Sequence, residues 1–152
     1  MNTKNRLASL TMMLVMVVMG TNSQMWADSE VRLSARKSKI INGFEAQLRG
    51  DYREQVTPIR LNSELEKINL PVGTPVAFCL LQNGVNTLLG VGHVAMVGGV
   101  PTASVELAAT DGDTVPKVKA GDVLQARQRP SAPFNPNPGC GSALLIFAPF
   151  QQ

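Results

Sequence analysis

The chain is predicted to fold as an all-β domain, an antiparallel β-sandwich of seven or eight strands with a small β-barrel as the alternative, behind an N-terminal signal helix. Three observations predict it. Short segments after position 28 alternate apolar and polar residues with a period of two; glycine, proline and asparagine punctuate them; and no convincing long helical repeat follows the leader.

Val31, Leu33 and Ala35 alternate with Arg32, Ser34 and Arg36, the pattern of a strand with one face on a core and one in water. Residues 40–48 continue in extended style, with Phe44, Ala46 and Leu48 on one side and Glu45 and Gln47 on the other, and Gly50-Asp51 reads as a turn. Ile59, Leu61, Ser63 and Leu65 alternate with Arg60, Asn62, Glu64 and Glu66; a strand is preferred, although Leu61, Leu65 and Ile68 also fit one helical face. Pro71 and Gly73 close that segment, one by lacking a ladder donor and the other by tolerating positive φ. Residues 76–81 are almost wholly apolar and lead into Asn83-Gly84, so a central strand and a hairpin are expected. In the partner, residues 87–97, Gly90 and Gly92 fall on one face and allow a bulge or the close approach of another layer. Ala103, Val105 and Leu107 mark a further one-sided strand, Asp111-Gly112-Asp113 begins a loop, Lys119 to Asp122 turn, and residues 123–127 return as a strand. Residues 129–141 carry four prolines and form a surface excursion; the last run, 143–148, is apolar on both faces and belongs mid-sheet or at a closing seam.

Lys4 and Arg6 precede an apolar stretch of about 14 residues, too short to span a hydrocarbon core of roughly 30 Å. This is the layout of a cleavable signal peptide, read as residues 1–27, leaving 28–152 as a single domain. No cysteine stands at the first mature position, so no lipid anchor is expected, and the mature chain is read as exported, periplasmic or extracellular, and not membrane-spanning. Loss of Lys4 and Arg6 leaves 12 basic residues against 11 acids, which excludes an overall basic footprint for nucleic acid. Arg32, Arg36, Lys37 and Lys39 do cluster, as a solvated strand face would. Six of the seven methionines lie at or before position 25, so a methionine-rich copper site is not supported.

From Leu70-Pro71-Val72-Gly73-Thr74-Pro75-Val76, through Asn83-Gly84, to Gly112-Asp113-Thr114-Val115-Pro116 and Ala120-Gly121-Asp122-Val123, the sequence resembles a small secreted β-domain of uncharacterised bacterial exported proteins. Those domains are similar in strand order to the chordin-type β-sandwich. The phrases at 72–75 and 120–123 are also similar to small β-barrel modules of envelope and flagellar accessory proteins. Either likeness implies a fold and supplies no catalytic residues.

Few side chains suggest chemistry. Cys79 and Cys140 are expected to form a disulfide, because exported chains meet an oxidising milieu; the alternative is a buried Cys79 and an exposed Cys140 thiol. His93 is the sole histidine, which removes multi-histidine zinc sites and leaves a catalytic triad only if His93 is its base. Asp111, Asp113 and Asp122 are the clustered carboxylates, but Asp-Gly-Asp lacks the rest of a calcium loop. Phe134, among prolines and asparagines, is a possible partner contact, with packing over the end of the domain as the alternative. No catalytic residue, metal site or cofactor is expected. The reading is a non-enzymatic binding or structural module of the cell envelope whose partner is an envelope or extracellular protein or glycan. The alternatives are a small carboxylate-dependent glycan-acting hydrolase, which needs two facing carboxylates about 5 to 10 Å apart in a groove, and an accessory subunit of an envelope or flagellar assembly.

Overall fold

The computed structural model describes residues 30–55, 58–129, 139–141 and 143–152. The expected signal peptide, residues 1–27, Phe134 and most of the proline-rich segment 129–141 lie outside the described residues. The strands are β1 (Val31–Ile41), β2 (Phe44–Glu54), β3 (Arg60–Glu66), β4 (Pro75–Gln82), β5 (Val85–His93), β6 (Ala95–Val97), β7 (Val100–Ala108), β8 (Val123–Gln128) and β9 (Ala143–Gln151), with one 3₁₀ turn at Ala109–Asp111.

All pairings are antiparallel, and the strands form one sheet in the order β5-β4-β8-β9-β1-β2-β3-β7-β6. Its first and last strands, β5 and β6, are separated in the chain only by Val94. The sheet therefore curls into a half-barrel, with β4, β5, β8 and β9 facing β1, β2, β3, β6 and β7. Nine strands appear where seven or eight were expected because 87–97 is broken at Val94. The Val94 N–H donates to Thr74 O at 3.0 Å and Gly73 N–H to Val94 O at 2.8 Å, so the turn before β4 takes the backbone groups that would have continued the ladder.

Period-two alternation explains the core. Leu33, Ala35, Ala46, Leu48, Tyr52, Leu61 and Leu65 line one half and Val76, Phe78, Leu80, Leu124, Ile146 and Phe150 the other, all buried in one cluster. Each large aliphatic side chain so buried contributes roughly 1.5–3 kcal/mol relative to exposure. β4 is buried on both faces, since Ala77 and Cys79 are as inaccessible as Val76, Phe78 and Leu80. This matches its unbroken apolar run. The helical alternative for the segment around Leu61 is not adopted; it is β3, with Ser63 buried between Leu61 and Leu65.

Three local expectations change. Gly50 is not in a turn but inside β2, opposite Ala35 and Ser63. A Cβ there would stand 2.6 Å from Leu124 Cδ2 and 3.0 Å from Phe150 Cζ, so glycine is what lets the facing half pack against β2. The turn lies instead at Asn42-Gly43, where φ values of 50° and 81° give the hairpin geometry also found at Asn83-Gly84. Phe44 accordingly sits at a hairpin tip and is 57% exposed rather than on the core. Third, β9 is central in the sheet but not apolar-covered on both faces, since Leu144 and Phe147 remain exposed.

Gly90 and Gly92 serve both purposes anticipated for them. The β4–β5 register shifts between Phe78 and Cys79, a bulge. In addition, a Cβ at Gly92 would lie 2.5 Å from Ser104 O and 2.8 Å from Ser104 N, while one at Gly90 would lie 2.8 Å from Val105 Cγ1. Thus β5 crosses directly over β7.

Candidate functional site

Three connections meet at one end of the curled sheet: the Asn42-Gly43 turn, the bend after β3 at Lys67 to Asn69, and the Gly98-Gly99 turn between β6 and β7. Each needs left-handed backbone, with φ of 50° at Asn42, 55° at Lys67 and 57° at Gly98. Lys67 is the unusual one, because a lysine gains nothing from that region and accepts a penalty of roughly 1 kcal/mol or more. Asn69 Nδ2 donates to Asn42 O at 3.3 Å and Ile68 N–H to Pro101 O at 3.4 Å, which tie the three connections together.

Between them lies a cleft of about 360 Å³, lined by Phe44, Glu45, Lys67, Ile68, Asn69, Gly99, Val100 and Pro101. Ile68 is wholly buried and forms its floor, whereas Phe44 is an exposed wall. The opposite wall is continuous with β6, since Met96 pairs with Pro101 and Val97 with Val100, and both β6 residues are exposed. A ring of aromatic, aliphatic and prolyl surface with Glu45, Lys67 and Asn69 at the rim can hold an apolar side chain by excluding water; Phe44 and Pro101 bring no side-chain hydrogen-bonding group to it.

A second, polar depression of about 320 Å³ runs over Arg36, Lys37, Ser38, Gln47, Leu48 and Arg49. Its guanidiniums are partly satisfied, Arg36 by Asp51 at 3.9 Å and Arg49 by Glu66 at 3.3 Å. Of the cationic cluster noted in the sequence, Arg32 pairs with Glu30 at 2.7 Å, while Lys37 and Lys39 form no ion pair among the described residues.

Cys79 and Cys140 are joined in a disulfide, with Cα atoms 5.9 Å apart and 61 residues of separation. Nearby, Arg127 Nε donates to Gln125 Oε1 at 2.8 Å and Arg127 Nη1 to Gly141 O at 3.5 Å, which also hold the approach to β9 against β8.

The aspartates of the hypothetical calcium loop are committed to turns. Asp113 Oδ2 accepts from Ala108 N–H at 3.0 Å, and Asp122 Oδ2 accepts from Lys119 N–H at 2.7 Å and Gln82 Nε2 at 2.6 Å. Among the described residues no three His, Cys, Asp or Glu side chains group as metal ligands would. His93 is exposed at the end of β5, opposite Pro75.

Burial is the leading cause of an upward shift at two titrating groups, Tyr52 and Glu64. Burial, and then the hydrogen bond to Glu54, push the Tyr52 phenol up to about 12. On β3, burial and the adjacent Glu66 raise the Glu64 carboxyl above its usual value. The Glu64 and Glu66 carboxylates lie on the sheet's outer face, and neither groove described above is lined by two carboxylates.

The cleft was not found from the sequence, because its parts come from positions 44, 68 and 99–101; the signals available were the glycine-bearing turns at 42–43 and 98–99. Comparison with known proteins gives no match to a family model, a curated protein or a solved structure. The resemblance over 70–127 to exported bacterial domains therefore rests on its sequence pattern alone. No helix among the described residues is long and apolar enough to cross a membrane.

Proposed function

We propose that this chain is an exported, non-enzymatic binding or structural module of the cell envelope, which engages an envelope or extracellular protein through the cleft at Phe44, Ile68, Val100 and Pro101. The observation that carries this reading is the exposed apolar wall. Phe44 is more than half exposed on a cleft whose floor is fully buried, and Met96 and Val97 on the adjoining β6 are exposed as well; exposed apolar surface of that kind marks contact sites. Protein is favoured over glycan because the walls offer few hydrogen-bonding groups, and Asn69 is already engaged with Asn42. The disulfide supports export, since such bonds persist in oxidising compartments. An accessory role in an envelope or flagellar assembly is the same activity in a larger setting.

A photo-crosslinking residue placed at Phe44 in the oxidised mature protein, within its native envelope, tests this. The expected result is one crosslinked protein species that disappears when Val100→Glu is added, with the thermal melt unchanged. Absence of crosslinks at that position, together with glycan cleavage abolished by Glu64→Gln, would replace the binding module by the hydrolase. That second reading has one observation in its favour, the raised Glu64 carboxyl beside Glu66.

A further inference from the structure

The curled sheet has a seam. β1 and β9 are neighbours, yet they pair only at Ser34 with Gln151 and Ala35 with Phe150. Beyond that point β1 runs on to Ile41 and β9 extends back to Ala143, each still paired on its other side, to β2 and β8. Pro149 explains where the ladder stops. The Phe150 N–H donates to Asp122 O at 2.8 Å and Gly121 N–H to Phe150 O at 2.9 Å, so residue 150 points its backbone groups toward β8. By alternation residue 149 points toward β1, and a proline there has no donor to offer.

The same alternation directs the backbone groups of Ser38 and Ile40 on β1, and of Phe147 on β9, toward the seam beyond the last ladder pair. A side chain bridges it instead: Lys39 Nζ donates to Leu145 O at 3.0 Å. This side-chain bond crosses where the β1–β9 ladder has ended, and it must be given up before an added strand can pair there.

We propose that the β1–β9 seam accepts an extended polypeptide segment of a partner as an added strand, one that alternates acidic and apolar residues. Extended backbone is demanded by the unpaired groups on both sides. Apolar side chains on one face would meet Ile40, 72% exposed, and Phe147, 53% exposed. Carboxylates on the other face would meet Lys37 and Lys39, which lack ion-pair partners among the described residues, while β9 carries no charge of its own. A second copy of this chain is a poor occupant, because pairing β1 edges would bring Arg36, Lys37 and Lys39 against their own kind. The inference is independent of the cleft, which lies at the turns rather than along this edge.

The test is a titration of the oxidised mature protein with a capped nine-residue peptide alternating glutamate and valine, followed by residue-resolved amide NMR. Saturable binding with shifts centred on Ser38, Ile40 and Phe147 is expected. The double variant K37E/K39E, with its melting temperature checked, should bind that peptide roughly tenfold more weakly or worse and should acquire binding to the lysine-valine counterpart. Any of four results overturns the proposal: no binding; shifts confined to β5 or β6; equal binding by the charge-reversed variant; or concentration-dependent self-association of the free protein that perturbs the same amides.

Discussion

The two places where the halves of the sheet meet are built in opposite ways. At one, β5 crosses β7 so closely that glycines at 90 and 92 leave no room for a single methyl group. At the other, β1 and β9 share two residue pairs and then separate around Pro149, with a lysine reaching across. The first junction is closed by face-to-face packing without a ladder between its strands; the second is closed by a ladder of two residue pairs that stops beside exposed Ile40 and Phe147. The tight junction is the one whose packing tolerates least change, and the proposed binding lies at the loose one and at the turn cleft.

The largest way to break this contrast acts on the disulfide. Cys140 lies three residues before β9, so the bond to Cys79 ties the start of the loose junction's strand to the buried β4, in addition to the ladders through β8. Replacing both cysteines by alanine should cost about 4 kcal/mol by the loop-closure model for a loop of this size, measured by chemical denaturation, and should loosen β9 before β4. Gly92→Ala attacks the tight junction and should cost about 3 kcal/mol, because the new Cβ meets Ser104 backbone rather than a side chain that can rotate. Gly43→Ala, at φ of 81° in open space, should cost only about 1–2 kcal/mol. A difference between Gly92 and Gly43 that vanished would mean that β5 and β7 can part freely.

Pro149→Ala sharpens the contrast from the other side. It restores an N–H facing β1 and should extend the β1–β9 ladder, adding about 1 kcal/mol of hydrogen bonding, offset in part by the freer unfolded chain. The informative readout is weaker binding of the acidic peptide, not the melt. Smallest is the pH effect. Tyr52 is protonated more tightly when folded, so its contribution is complete below its ordinary value of 10.0 and is lost as pH rises toward about 12. Denaturation midpoints should fall across that window in the native protein and less so in Tyr52→Phe.

Much of this was legible before the structure. Leu61, Ser63 and Leu65 alternate as β3 requires, the run in β4 is apolar because both its faces are covered, and Gly90 with Gly92 announced a close approach. The same reading overlooked Asn42-Gly43, the dipeptide it trusted at 83–84, because Phe44, Ala46 and Leu48 kept the alternation going across the turn. It placed a turn at Gly50, since glycine before aspartate has two uses and only the facing Leu124 and Phe150 tell them apart. The cleft and the seam were hidden for a different reason. Local pattern reports which face of a strand is apolar, but not whether another strand arrives to cover it, and Phe44, Ile40 and Phe147 are left bare by where their neighbours stop. Pro149 was the available clue to the seam, as proline inside a strand marks an edge.

Hydrogen exchange of the free oxidised protein, resolved by residue, compares the two junctions most directly. An open seam predicts that the amides of Ser38, Ile40 and Phe147 exchange within about tenfold of unstructured peptide while those of Leu80 and Leu124 are retained until global unfolding. Uniform protection along the whole of β1 and β9 would mean that the sheet is closed there, and would contradict the asymmetry on which the binding edge depends.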